Sequence, residues 1–122
     1  ALLGFATLAV LLLSGCHPHH WSGSVTIAFS SDDYPTAGSG LVISGEVGEH
    51  GDADVDAVAW SVASAPSGAV VTIDDPYATD TWAYFSDPGV YVLRYEVWYW
   101  VGSDLYRDEA FYRLDVDPPA FG

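Results

Sequence analysis

The chain has 122 residues, 17 acidic and 3 basic, for a net charge of −14; half are hydrophobic and 15% aromatic. This is about one domain in length and too apolar for a disordered chain. Three basic residues cannot track a phosphate backbone, which excludes nucleic acid as a partner, and a single Cys excludes an internal disulfide and a multi-Cys zinc site.

Residues 1–13 read ALLGFATLAVLLL. The run matches the apolar region of a signal peptide and falls short of the ~20 residues that a membrane-spanning helix needs. It is followed at once by Leu13-Ser14-Gly15-Cys16, which resembles the bacterial lipobox: leucine, two small residues, then a cysteine that accepts a diacylglyceryl group and becomes the first residue after cleavage. A lone Cys at the last position of the box argues against a buried core helix. Residues 1–15 are therefore read as a lipoprotein-type signal-peptide helix, removed from the fold. No Met or basic residue precedes the apolar run, so this leader is read as incomplete at its N-terminus. Cys16 is read as the lipidation site. Two or more acyl chains anchor stably at about 0.8 kcal/mol per buried methylene, so the mature protein is tethered to a membrane without spanning it. His17 stands where Asp would favour retention at the inner membrane. By resemblance to the enterobacterial sorting rule, this implies the outer membrane.

Residues 16–23 form a tether. Three His in four positions, His17, His19 and His20, can be read as metal ligands. A thioether-linked Cys16 is unavailable to a metal, however, and a Pro-containing tail has no fixed ligand geometry, which favours a solvated linker. From 24 to 118 the pattern is strand after strand: 24–30, 41–47, 56–63, 69–73, 79–85, 90–100 and 105–117. Each is rich in Val, Ile, Thr, Tyr or Trp, and Gly/Pro/Asp/Ser clusters punctuate the gaps. No helical periodicity follows Cys16. Seven strands at this spacing predict an all-β fold, a single immunoglobulin-like antiparallel β-sandwich, with 119–122 as a C-terminal tail.

Alternation assigns the faces. In the sixth strand Tyr91, Leu93, Tyr95, Val97 and Tyr99 point inward, while Arg94 and Glu96 mark the outward side. The third strand is expected to bury Val58, Trp60 and Val62, and the seventh Ala110, Tyr112, Leu114 and Val116. In the fifth, Trp82/Tyr84 and Ala83/Phe85 both make a plausible core; the former is preferred for its larger area.

Two local patterns carry a family resemblance. The stretch from Trp60-Ser61-Val62 to Pro66-Ser67-Gly68 resembles the third strand and turn of PKD-like (polycystic-kidney-disease type) immunoglobulin-like domains. Asp87-Pro88-Gly89-Val90-Tyr91-Val92-Leu93 is similar to the start of their penultimate strand. The resemblance spans about 41–116. It implies that the Tyr91 hydroxyl closes on nearby backbone as a tyrosine corner. It also implies that Trp60 packs on aliphatic side chains where a disulfide is missing. Such domains serve as spacers, adhesion modules or carbohydrate-associated modules, without catalysis.

Two candidate sites remain. Asp52, Asp54 and Asp56, near Glu46 and Glu49, alternate as Ca²⁺ ligands often do; the competing reading is a solvated acidic loop. The EF-hand pattern fails, with Ala57 and Ala63 where Gly and Glu are needed. Trp98, Trp100, Phe111 and Tyr106 are placed outward on two adjacent strands as one aromatic patch, suited to stacking on sugar rings or filling a partner's pocket; the competing reading is that another segment or a one-residue shift covers them. No Ser/His/Asp or Cys/His set and no phosphate-binding loop is recognisable, and the adjacent acids Asp108 and Glu109 point to opposite faces, so no enzyme is expected. The expectation is a lipid-anchored envelope protein using an immunoglobulin-like module for protein contacts or spacing. The alternative is a glycan-binding adhesion module, with or without Ca²⁺; no other cofactor is implied.

Overall fold

The structure, a computed structural model, describes residues 21–119. The signal-peptide segment, the lipobox, Cys16 and the three tether histidines lie outside the described residues. Seven strands follow in order: β1 (Gly23–Ser31), β2 (Gly40–Gly51), β3 (Ala53–Ser64), β4 (Val71–Ile73), β5 (Asp80–Phe85), β6 (Gly89–Val101) and β7 (Asp104–Val116). All seven coincide with the predicted segments, most of them extended by a residue or more. They form two antiparallel sheets, β1-β2-β5-β4 and β3-β6-β7. This is the ABED/CFG arrangement of a constant-type immunoglobulin sandwich.

The core lies between the sheets, where the inward positions of β6 meet those of β2. Tyr91, Leu93, Tyr95 and Val97 have no exposed surface, and neither have Ile43 and Phe85. Each fully buried side chain of this size contributes about 2 kcal/mol. Tyr91 forms the expected corner: its hydroxyl donates to the Asp87 carbonyl at 2.7 Å, fixing the chain as it enters β6. Two further backbone bonds, Ala37 N–H to the Asp117 carbonyl and Asp117 N–H to the Pro35 carbonyl, join the β1–β2 connection to the chain after β7. They close the sandwich at that end.

Trp60 is part of a core cluster rich in aliphatic side chains, and aromatic rings, which the resemblance did not imply, also close on it. Its indole lies 4.4 Å from the Tyr95 ring and 5.8 Å from Phe29, and Phe29 stacks on Tyr112 at 4.8 Å. Its Nε1–H donates to the Ala78 carbonyl at 2.9 Å, so the polar end of the indole is satisfied. An aromatic cluster thus fills the volume beside Trp60. Tyr95 reaches across it to donate its hydroxyl to the Gly45 carbonyl on β2 at 2.8 Å. A Cβ at Gly45 would come within 2.6–2.9 Å of the Tyr95 ring, so only glycine allows the ring to lie there.

That crowding corrects the preferred face of β5. Ala83 and Phe85 are buried with Thr81, and Trp82 and Tyr84 point outward. The register places Ala83 opposite Leu41 and Thr81 opposite Ile43 on the inner face. Aromatics from the facing sheet already occupy the interior there, so small side chains fit and a second Trp does not. Trp82 instead covers Gly40 on the outer face. Val62 is also corrected: it is exposed, at the end of edge strand β3, where the register with β6 slips between Val62 and Ser64.

Two consequences are measurable by urea denaturation. Gly45→Ala should overpack the contact and Tyr95→Phe should orphan a buried carbonyl, each destabilising by about 1–3 kcal/mol. Burial, with Asp80 adding its charge, pushes the Tyr95 hydroxyl from 10.0 up to about 12. The folded state therefore holds this proton more tightly than the unfolded chain. Its contribution is complete below pH 10 and is lost as the pH rises towards about 12. Tyr95→Phe should remove that alkaline decline.

Candidate functional site

The β6–β7 hairpin sets the geometry of the predicted aromatic patch. Its thirteen paired positions run unbroken from Gly89↔Val116 to Val101↔Asp104, closed by Gly102-Ser103 with Gly102 at φ 62°. On the outer face Trp100 lies opposite Leu105, Trp98 opposite Arg107, Glu96 opposite Glu109 and Arg94 opposite Phe111. Trp98 and Phe111 are therefore four residues apart along the sheet, about 13 Å.

Charge fills the interval. Glu96 and Glu109 would repel each other as direct cross-strand neighbours. Arg107 bridges them, with Nε donating to Glu96 and Nη2 to Glu109, both at 2.7 Å. The Glu96 hydrogen bond, assisted by the charge of Glu109, raises the guanidinium pKa further above its ordinary value. The patch is thus divided: Trp98 and Trp100 on one side of an ionic ladder, Phe111 on the other. Of the four residues, Trp98 is half-buried, while Trp100, Tyr106 and Phe111 are exposed.

Tyr106 does not share this face. It is paired with Tyr99, its ring 5.8 Å away and stacked, on the side of the sheet that carries the core. There it meets Trp21, which the sequence alone places in the tether. Ser22 accepts a bond from Asp52 N–H at 2.7 Å and donates its own N–H to the Asp52 carboxylate at 3.2 Å. Trp21 lies on Gly102, where a Cβ would approach the indole to 2.6 Å. Residues 21–23 therefore belong to the domain. The signal that could have located Trp21 is a large aromatic immediately before the first strand, where a plain linker needs none.

Around Trp21 lie two shallow depressions. One, of about 370 Å³, is lined by Trp21, Trp100, Asp52, Asp54, Gly102 and Ser103. The other, of about 290 Å³, is lined by Trp21, Tyr99, Val101 and Tyr106 with the start of β1. Trp100 and Tyr106 thus flank Trp21 at one end of the sandwich. Two connections at this end are short: Asp52 alone joins β2 to β3, and Gly102-Ser103 join β6 to β7. At the far end a groove of about 450 Å³ runs between 31–35 and 112–115. Its carboxylates have partners: Asp32 accepts from Val42 N–H, Asp33 from Tyr34 N–H, and Asp115 pairs with Arg113.

The acidic candidates do not converge. Asp52 is engaged with Ser22, Asp54 lies across from Trp100, and Asp56 sits in the register shift between Val55 and Ala57. Glu49 accepts the Val55 N–H at 2.7 Å, and Glu46 is exposed on β2. The alternation expected of a regular strand is broken by that bulge. Among the described residues no three His, Cys, Asp or Glu side chains come together as metal ligands. This end of the sandwich offers flat rings bordered by carboxylates. Nothing matches the chain among protein families, curated proteins or solved structures.

Calorimetric titration with Ca²⁺ should give no binding heat, and chelator should leave the melting temperature unchanged. A Ca²⁺-dependent rise in melting temperature would restore Asp52, Asp54 and Asp56 as ligands.

Proposed function

We propose that this is a bacterial lipoprotein of the cell envelope, anchored through Cys16. Its immunoglobulin-like sandwich is a non-catalytic module for protein contacts or structural spacing. The observation that carries the reading is the Leu13-Ser14-Gly15-Cys16 box between an apolar run and a folded domain that begins at Trp21. Among the described residues no helix is long and apolar enough to cross a membrane. No acidic or basic residue precedes Cys16, so the whole charge belongs to the mature part. That charge keeps the domain soluble and repels it from anionic lipid while the acyl chains hold it. His17 after the Cys favours the outer membrane. The tyrosine corner at Tyr91 and the buried Trp60 of β3 fit the PKD-like resemblance.

A second reading, glycan binding, is favoured by one feature: the depression in which Trp21 and Trp100 stand beside Asp52 and Asp54. Stacking rings next to hydrogen-bond acceptors suit a sugar.

Metabolic labelling with an acyl precursor should label the protein and fail to label Cys16→Ser; a labelled Cys16→Ser variant would overturn the anchor. On a glycan array the soluble domain should be silent. Binding that is lost in Trp100→Ala would instead establish the second reading.

A further inference from the structure

Exposed large apolar side chains occur over the whole described domain, and four of them gather at one end. Trp21, Trp100, Leu105 and Tyr106 are all exposed, 39–53%, and all lie at the end of the sandwich where the chain enters β1. Trp21 is seated on the turn glycine Gly102, with Trp100 in the depression on one side and Tyr106 in that on the other. The β2–β3 and β6–β7 connections that carry the rings are one and two residues long, and the longer β4–β5 connection, residues 74–79, is bonded back to Gly45 and Trp60. The end is a low aromatic cap.

The chain outside the described fold says where that cap is held. Trp21 is five positions after Cys16, which even at full extension is about 18 Å of backbone. A lipidated Cys16 has its acyl chains in the bilayer, so Trp21 stays within that distance of the headgroup layer. Because Ser22 is bonded to Asp52 and Trp21 lies on Gly102, the short tether ends on the rigid domain. Trp and Tyr rings, apolar with one polar edge, are the side chains that favour the membrane–water boundary.

We propose that the Trp21/Trp100/Tyr106 end of the sandwich docks on the bilayer interface, so that the domain stands upright on its anchor and presents its opposite end outward. This rests on the lipidation of Cys16 proposed above. The contact is with zwitterionic headgroups: Asp52 and Asp54 border the rings, Asp104 opens β7 at the same end, and the three repel an anionic surface. The 31–35 turn and the groove beside it then face away from the membrane.

The test supplies the tether chemically, so its failure is distinct from a failure of lipidation in the cell. The chain beginning at Cys16 is coupled through this single thiol to a maleimide-headed lipid in phosphatidylcholine vesicles with brominated acyl chains. Tryptophan emission should be quenched. Trp21→Phe and Trp100→Phe should each lower the quenched fraction and together abolish it, while Trp82→Phe, on the outer face of the other sheet, leaves it unchanged. Replacing part of the phosphatidylcholine with phosphatidylglycerol should weaken quenching at low salt, with recovery as salt is added. Coupled protein with unquenched emission, or quenching that survives the double substitution, would overturn the proposal. A shift of Trp21 and Trp100 emission on adding glycans, without quenching by the bromolipid, would overturn it in favour of a sugar site.

Discussion

The hydrogen bond from the Tyr95 hydroxyl to the Gly45 carbonyl spans the two sheets at their centre, and most of the packing is arranged around it. In antibody domains a disulfide between the second and sixth strands links the sheets, and the Trp of the third strand packs on it. Here β2 and β6 are linked by a ring and its hydroxyl. The ring lies flat against a residue without a side chain, Trp60 and Phe29 close around it, and Phe29 continues the contact to Tyr112. The arrangement holds the sheets at the spacing that an aromatic layer requires. It also explains why β5 contributes only Thr81 and Ala83 to this region and turns Trp82 out. A core linked in this way needs no disulfide between the sheets.

The strands were legible because their cause is local. Alternating β-branched and aromatic residues between Gly/Pro/Asp punctuation place each segment, and Arg94 and Glu96 declare the outer side of β6. The tyrosine corner was legible for the same reason, since Tyr91 and its acceptor at Asp87 are four residues apart. The features that local sequence does not carry are long-range. The face of β5 depends on how much interior the other sheet has already filled, and area ranking of Trp82/Tyr84 against Ala83/Phe85 contains no information about that. Val62 belongs to the inner parity of β3 but sits at the end of an edge strand, where a bulge shifts the register and no cover remains.

The aromatic surface was legible in its residue types and not in its arrangement. Trp98, Trp100 and Phe111 do share a face, but the hairpin register inserts Glu96, Arg107 and Glu109 between them. Tyr106 falls one position off that parity and joins Tyr99 on the opposite side. The residue that organises this end, Trp21, gives no periodic signal because it precedes the first strand. Only the folded chain brings it onto Gly102, next to Trp100 and Tyr106. The acidic stretch failed as a ligand set for a comparable reason: a bulge at Asp56 and backbone partners for Asp52 and Glu49 spend the geometry that spacing alone suggested.

The Tyr95 link is expected to join the two sheets into one cooperative unit. Native-state hydrogen exchange tests this most directly, by comparing amides of β2 with amides of β6 in the protein and in Tyr95→Phe. If Tyr95 joins the sheets, the slowest amides of both strands lose the same protection in the variant and continue to exchange together. A loss confined to one sheet, or unchanged protection in both, would contradict it.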